Sequence, residues 1–550
     1  MGRPGAASLG AVVGLFVFLL YLGTLAPTVL YYDYPELFDP AMLQAEASVL
    51  GIGHPSGYPT YMMLTHLFTY LPFGDGAYGV NLASAVYGTL AIVAIYGVAL
   101  RLSGYAAAAA VGALALGVSP LFWSQAVIAE VYTLNALFIA VVVSVLLLWR
   151  DRRNDRYLLL AAFLMGLSLT HHLTSGLLIP AGLAFVFAVD RKKLRRPGLL
   201  LKGLGLFLVG LLPYLYLPIR AAMEAPLNEA DPSSPGRFLL LVTGGSYLLK
   251  LLADLETGAA PGSDEVPSRS QPILQDVADR LTIHGEYLYA QFPLLLMLAG
   301  LLGALHLVRK DRAAALLLGI TFLGWLVHAL TYGVEDYYIF LLPAYVILSL
   351  FVAVGVGVVL RKASSLAGRL VESPRSRTAL VLVLSGLALA VPLFGVRESY
   401  ASEDRSGEDF GRRTIESVAE NVAPDATVLH HRSSLWYMVL VENRRRDLTL
   451  VDPFKTSWLR YEDVVWPDRL NATQSAERYG TADISGVEAA RRAAEEGPVY
   501  LLDHDILGRV VGEGTFREAG FETVPVDAEV GLYELVPEGG EPYGAGSDGG

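Results

Sequence analysis

Apolar residues gather into runs of bilayer length near 9–30, 79–100, 104–119, 127–149, 157–174, 175–189, 199–217, 288–308, 313–332, 338–360 and 378–396. A helix needs about 20 predominantly apolar residues to cross a bilayer, so the pattern predicts roughly eleven transmembrane helices, several short and closely abutting. The first run is too long for the core of a signal peptide and is expected to stay as a span. Two other apolar stretches are interrupted: 57–72 carries Thr65 and His66, and 237–255 carries Arg237, Lys250 and Gly244-Gly245. Both predict interfacial helices lying along the membrane surface. Beyond residue 397 the period changes. Short apolar strands at 426–430, 448–452, 499–503, 521–524 and 531–535 alternate with helical patterns at 406–422, 433–443 and 486–496. Such alternation predicts a small α/β domain, and the Gly-rich acidic stretch 539–550 is expected to fray.

Charge sharpens this division. Of 550 residues, 53% are hydrophobic and 17% charged, a balance that excludes an ordinary soluble globular chain. The formal charge of −12 splits into +2 over the first 396 residues and −14 over residues 397–550. A membrane domain at 1–396 and a soluble α/β domain at 397–550 follow. Within the membrane part, 20 of 25 Lys and Arg fall in alternate connections, at Arg3, Arg101, 150–156, 191–202, 309–312 and 361–377. The positive-inside rule puts those connections and the N-terminus in the cytoplasm. Loops 31–78 and 218–287 and the whole tail then lie outside it, in a multi-pass protein of the cell membrane. No cysteine is present, which removes disulfides, thiolate metal sites and cysteine nucleophiles together. Nothing in the charge pattern calls for nucleic acid.

The candidate chemistry sits on the outer side. The first run leads into Tyr31-Tyr32-Asp33-Tyr34-Pro35-Glu36, and Gly53-His54-Pro55-Ser56-Gly57-Tyr58-Pro59 follows. Asp33 and Glu36 fit a base with a helper carboxylate, and equally a capping box that starts a helix. His54 and Tyr58 belong to a stiff turn, which reads either as a simple turn or as a phosphate contact. Glu130 and Tyr132 open a span, as substrate holders or as an interfacial acid beside an aromatic belt. His171 and His172 end another span; neighbours on a helix point about 100° apart, so a hydrogen bond to phosphate or sugar suits them better than a metal. Arg220 follows a span as one of five outer bases, matching phosphate geometry or snorkelling to headgroups. Asp336, beside Glu335, sits in a further outer connection, as a substrate holder or as a polar cap. Mid-span positions are almost free of charge, which argues for surface chemistry over a transmembrane pathway.

Those residues carry a resemblance. Residues 24–36, 53–59, 81–85, 124–135, 169–174 and 214–221 resemble a bacterial membrane-protein family. That family is related to the vertebrate transmembrane O-mannosyltransferase of the plexin and hepatocyte growth factor receptor type. The likeness covers most of 20–350. More distantly the layout is similar to the GT-C superfamily of polyprenyl-phosphate-dependent glycosyltransferases, whose first outer loop holds a catalytic Asp ahead of interfacial helices. The resemblance implies Asp33 as the catalytic carboxylate. It places His54 where related aminoarabinose transferases have a phosphate-contacting lysine. The expected activity is transfer of a sugar, with mannose the one the family implies, from a polyprenyl-phosphate donor to a hydroxyl of an exported protein or glycan. No metal or other cofactor is obligatory, since a monophosphate leaving group can be neutralised by Arg and His. A transporter or flippase of lipid-linked sugars, and a non-enzymatic scaffold whose tail binds partners, remain the alternatives.

Overall fold

A computed structural model describes residues 3–31, 39–229, 231–245, 273–332, 337–371, 373–430, 433–451, 486–503 and 513–543. All eleven apolar runs are helical. Among the described residues eight helices are long and apolar enough to cross a membrane, or nine if the pair Leu281–Gln291 and Leu294–Lys310, bent by 102°, forms one span. The remaining two, Ala106–Gly117 and Arg156–Leu169, are shorter than the sequence pattern predicts. Their limits have local causes. Ser119-Pro120 follows the first, and proline cannot continue a helix into its own preceding turn; the second stops where Thr170-His171-His172 turns the chain. The protein is thus a multi-spanning helical membrane protein with an additional sheet domain.

The chain divides into two compact units, the first made of Met1–Leu25, Leu82–Pro213 and Leu251–Arg405. It is helix packed on helix, and small residues let backbones approach. A Cβ on Gly303 in Leu294–Lys310 would overlap the Phe351 carbonyl, and one on Gly355 in Leu342–Leu370 would overlap Ala299. Those two helices therefore cross almost backbone to backbone. Leu342–Leu370 is buried over most of its length, whereas Pro374–Leu393 exposes Leu382, Val383 and Leu387. At one end of the helices Arg101, Asp151, Arg150 and Asp311 form a chain of ion pairs, and Lys193 meets Asp155 at 2.6 Å.

The second unit gathers Ala26–Asn81, Tyr214–Lys250 and Ser406–Gly550. Its sheet contains β1 (Thr427–Leu429), β2 (Thr449–Val451), β3 (Val499–Leu502), β4 (Phe521–Asp527) and β5 (Leu532–Pro537) in the order β2-β1-β3-β5-β4. β1 runs parallel to β2 and β3; β5 is antiparallel to both β3 and β4. Helices Phe410–Asn421 and Gly486–Glu496 are strongly amphipathic and turn Ile415, Val418, Ala490 and Ala493 inward. The same apolar core takes in Val29, Met42, Ala45 and Ala77 from the first loop. The Tyr437 hydroxyl accepts a hydrogen bond from Ala77 N at 3.0 Å. The interfacial helix expected at 57–72 is Pro59–His66, continued by a tight turn at Leu67–Tyr70. Of the second, at 237–255, the described part is Pro235–Val242; the rest lies outside the described residues.

Candidate functional site

Asp33, Glu36 and Asp336 lie outside the described residues. The other candidates are described within the unit that holds them.

In the second unit, the chain after helix Pro40–Val49 doubles back through Leu50, whose φ is 53°. The carbonyls that this turn exposes are claimed by the segment after residue 213. Arg220 Nε donates to Leu50 O at 2.7 Å and Nη2 to Val49 O at 3.1 Å, while the Tyr216 hydroxyl donates to Gly51 O at 2.7 Å. Helix ends leave such carbonyls without intrahelical donors, and a planar guanidinium can serve two at once. Arg220 thus caps a helix C-terminus, and its Nη1 lies 4.0 Å from Met223 Sδ. A backbone bridge continues the join: Ile52 N donates to Leu227 O at 2.9 Å and Glu229 N to Ile52 O at 3.0 Å.

The His54 turn follows at once. Gly57 N donates to His54 O at 2.6 Å, and Gly57 adopts φ +79°, where a Cβ would stand 2.8 Å from Leu217. Only glycine meets both demands without strain. The turn folds the Tyr58 hydroxyl to 3.0 Å from His54 Nε2, with the two rings edge to face at 4.9 Å. Asp39 Oδ2 lies 3.6 Å from the same nitrogen. Asp39 was not singled out by sequence; an acid one residue before Pro40 reads as an ordinary helix start.

In the first unit the residues group around the start of helix Tyr132–Arg152. Ser84 Oγ donates to Glu130 O at 3.2 Å and accepts from Glu130 N at 3.1 Å, which pins the backbone there. The Glu130 carboxylate, 5% exposed, accepts from Val131 N at 3.2 Å. His171 is wholly buried and its Nε2 lies 2.9 Å from Val131 O; a carbonyl only accepts, so that nitrogen carries the proton. Its neighbour does something else. His172 Nδ1 accepts from Thr174 N at 3.4 Å and lies 2.8 Å from the Thr174 hydroxyl. The His172 ring joins Tyr132 at 5.9 Å and Phe340 at 6.2 Å. Phe340 also meets Tyr132 at 5.8 Å, His328 at 5.6 Å and Tyr332 at 4.7 Å. The structure therefore brings Tyr132 and His172 together and sets His171 under the backbone. It adds Phe340, His328 and Tyr332, which one aromatic or histidine in an apolar run does not announce. Among the described residues no group of three or more His, Asp and Glu side chains is arranged to hold a metal ion.

The spans, bent pair and sheet domain make a multi-spanning membrane fold that is similar to solved structures. ArnT from Cupriavidus metallidurans, crystallised with undecaprenyl phosphate, superposes on 97% of this chain and 98% of its own, with TM-score 0.59 and 16% identity. Its apo form superposes with TM-score 0.56 over the same shares. The sequence points to a particular branch: residues 39–195 match the family described as the Protein O-mannosyl-transferase TMEM260 N-terminal domain. Protein O-mannosyl-transferase TMEM260 of Mus musculus is 31% identical over 229 residues, 40% of this chain and 33% of the mouse protein. The Dictyostelium discoideum protein of the same name is 26% identical over 231 residues, 38% of this chain and 27% of its own length. The chain is similar to that O-mannosyl-transferase family over residues 39–195 and aligns with a third or less of those relatives' length. The matched region contains His54, Tyr58, Glu130, Tyr132, His171 and His172; Asp33, Glu36, Arg220 and Asp336 fall outside it.

Proposed function

We propose that this chain is a membrane glycosyltransferase that moves a sugar, mannose by its family relationship, from a polyprenyl-phosphate donor to a hydroxyl of an exported protein or glycan. One observation supports this most: the match to an O-mannosyl-transferase domain over 39–195 lies in a chain that shares nearly its whole fold with a protein crystallised with undecaprenyl phosphate. In the proposed step the acceptor oxygen attacks the anomeric carbon and forms the new C–O bond. The bond from that carbon to the phosphate oxygen breaks, and its electron pair leaves on the phosphate. The acceptor's proton passes to the Asp33 carboxylate. A single displacement of this kind inverts the anomeric centre.

A phosphate monoester has a second pKa near about 6, so the leaving group needs no general acid. It needs positive or hydrogen-bonding groups around its growing charge, the role proposed for Arg220 and His54; His171 and His172 keep the phosphate- or sugar-contacting roles that the sequence suggests. Glu36, Glu130, Tyr58, Tyr132 and Asp336 keep the substrate-holding roles that the sequence suggests. The N-terminus is assigned to the cytoplasm, and the first loop and tail to the opposite side. No metal or other cofactor is assigned.

Asp33→Asn tests the reading in proteoliposomes given labelled polyprenyl-phosphate mannose and a Ser/Thr acceptor peptide. General-base assistance contributes about 10²–10⁴-fold, and a loss of that order is expected with donor binding retained. Undiminished transfer by the variant, or labelled lipid merely changing leaflet, would sink the reading and favour a flippase. Because the chain has no cysteine, a single cysteine introduced at position 33 reports its side of the membrane without background.

A further inference from the structure

Four helices of the first unit, Tyr132–Arg152, Arg156–Leu169, Leu178–Asp190 and Pro197–Gly210, border an apolar groove of about 330 Å³. Glycine sets its shape. Arg156–Leu169 and Pro197–Gly210 meet backbone to backbone near their C-terminal ends: a Cβ on Gly166 would stand 2.1 Å from Phe207 O, and one on Gly210 2.3 Å from Phe163 O. Nearer their N-terminal ends the contact loosens, and a Cβ on Gly203 would meet only Ala162, at 3.9 Å. Leu158, Met165, Leu183, Leu200 and Phe207 line the gap, and Leu183, Leu200 and Leu204 leave its side open. From Leu199 to Phe207 the lining rises about 12 Å, close to the depth of one leaflet's hydrocarbon, half of about 30 Å.

The N-terminal end of the groove is basic. The connection 190–196 holds five Lys and Arg and one acid, and that acid, Asp190, accepts from Lys192 N at 3.1 Å. Lys193 Nζ meets Asp155 Oδ1 at 2.6 Å, and Arg196 Nη1 lies 3.6 Å from Oδ2 of the same carboxylate. One carboxylate thus faces two cations, and net positive charge stays at the mouth. Among the described residues Arg191, Lys192 and Arg195 form no ion pair.

Membrane orientation needs positive charge somewhere in this connection. It does not need an ammonium in the wall of an apolar groove, yet Lys193 is the one charged side chain among the lining residues and is only 15% exposed. Lipid tails are as apolar as the groove, so a hydrocarbon chain by itself gains little by entering. A headgroup phosphate supplies the missing preference, because each Lys or Arg near it strengthens binding about fivefold.

We infer that this groove is a binding site for an anionic phospholipid of the leaflet on the basic side. One acyl chain lies between Arg156–Leu169, Leu178–Asp190 and Pro197–Gly210, with the phosphate at Lys193 and Arg196. The charge pattern assigns that leaflet to the cytoplasm, opposite the side assigned to sugar transfer, so the site stands whether or not the chain is a transferase. A lipid held there ties Pro197–Gly210, which exposes Leu201 and Leu208, to the rest of its unit.

The chain lacks cysteine, so Leu204→Cys at the open edge takes a single bimane label on the full-length protein. The labelled protein is placed in phosphatidylcholine nanodiscs with a small fraction of brominated phosphatidylglycerol or of brominated phosphatidylcholine. Phosphatidylglycerol should quench at about tenfold lower mole fraction. Lys193→Gln combined with Arg196→Gln should reduce that preference to less than about threefold. Gly203→Phe, which fills the groove without touching a charge, should remove it as well. Should the double variant fail to fold, Arg196→Gln alone, on a side chain 61% exposed, and Gly203→Phe carry the test. Equal quenching by the two lipids, or a preference that the folded variants keep in full, overturns the inference. Stronger displacement by polyprenyl phosphate than by unbrominated phosphatidylglycerol also overturns it, making the groove a site for the donor lipid.

Discussion

The two units place their charged side chains differently. In the helical unit the buried polar side chains serve backbone, as Ser84 clasps Glu130, His171 holds Val131 O and the Glu130 carboxylate takes Val131 N, and the long-range pair Arg150–Asp311 lies at one end of the helices. In the mixed unit, charged side chains tie together segments far apart in sequence. Arg412 reaches Asp75 across 337 positions, and Arg220 reaches Leu50 across 170. The difference follows from the surroundings. An apolar helical body leaves few partners other than its own backbone, and an unmet donor there is costly. A unit assembled from loops and a tail around one sheet leaves ion pairs such as Arg412–Asp75 partly exposed and can use them for register.

The first unit should therefore fail through packing and the second through geometry. Gly355→Leu is expected to have the largest effect. Its side chain has nowhere to go between two helix backbones, and folded protein in detergent should be nearly abolished; normal yield and melting temperature would break the comparison. His171→Ala should cost about 2–4 kcal/mol through a cavity and an unpaired carbonyl, read as a lower detergent melting temperature that added salt does not change. Arg220→Gln should cost less, about 1–2 kcal/mol, by uncapping the turn at residues 49–51. Its stronger signature should be faster proteolysis of the first loop.

Arg444→Gln should have the smallest effect. Hydrogen bonds from Arg444 hold the Glu416 carboxyl below the usual carboxylate range. A depressed folded-state pKa contributes stability above the unfolded value of about 4.3, and that contribution is lost as pH falls through the folded value. The melting difference between wild type and variant should be under about 1 kcal/mol at neutral pH, given the exposure of the pair, and should vanish in acid. A difference that grows on acidification would contradict this.

Much of the architecture was legible beforehand. Every apolar run is a helix and all five strands fall where alternation placed them, because hydrophobic period and chain punctuation are local properties. The span count was less legible, since two runs are cut short by Pro120 and by the His171-His172 turn. Among the candidate residues, the His54–Tyr58 pairing could be anticipated from a glycine turn four residues long. The separation of His171 from His172 could not, because it depends on where Val131 and Phe340 come to rest.

Local composition by itself settled which segments enter the apolar phase, which fold as a sheet, and where acids, histidines and a stiff turn are concentrated. Tertiary structure alone decided that the first loop shares its core with the tail, that Arg220 caps a helix, and that Arg412 bridges Thr28, Asp75 and Glu442. Those outcomes depend on which carbonyl or carboxylate each cation meets after closure of loops hundreds of residues long, and no short-range pattern encodes that meeting.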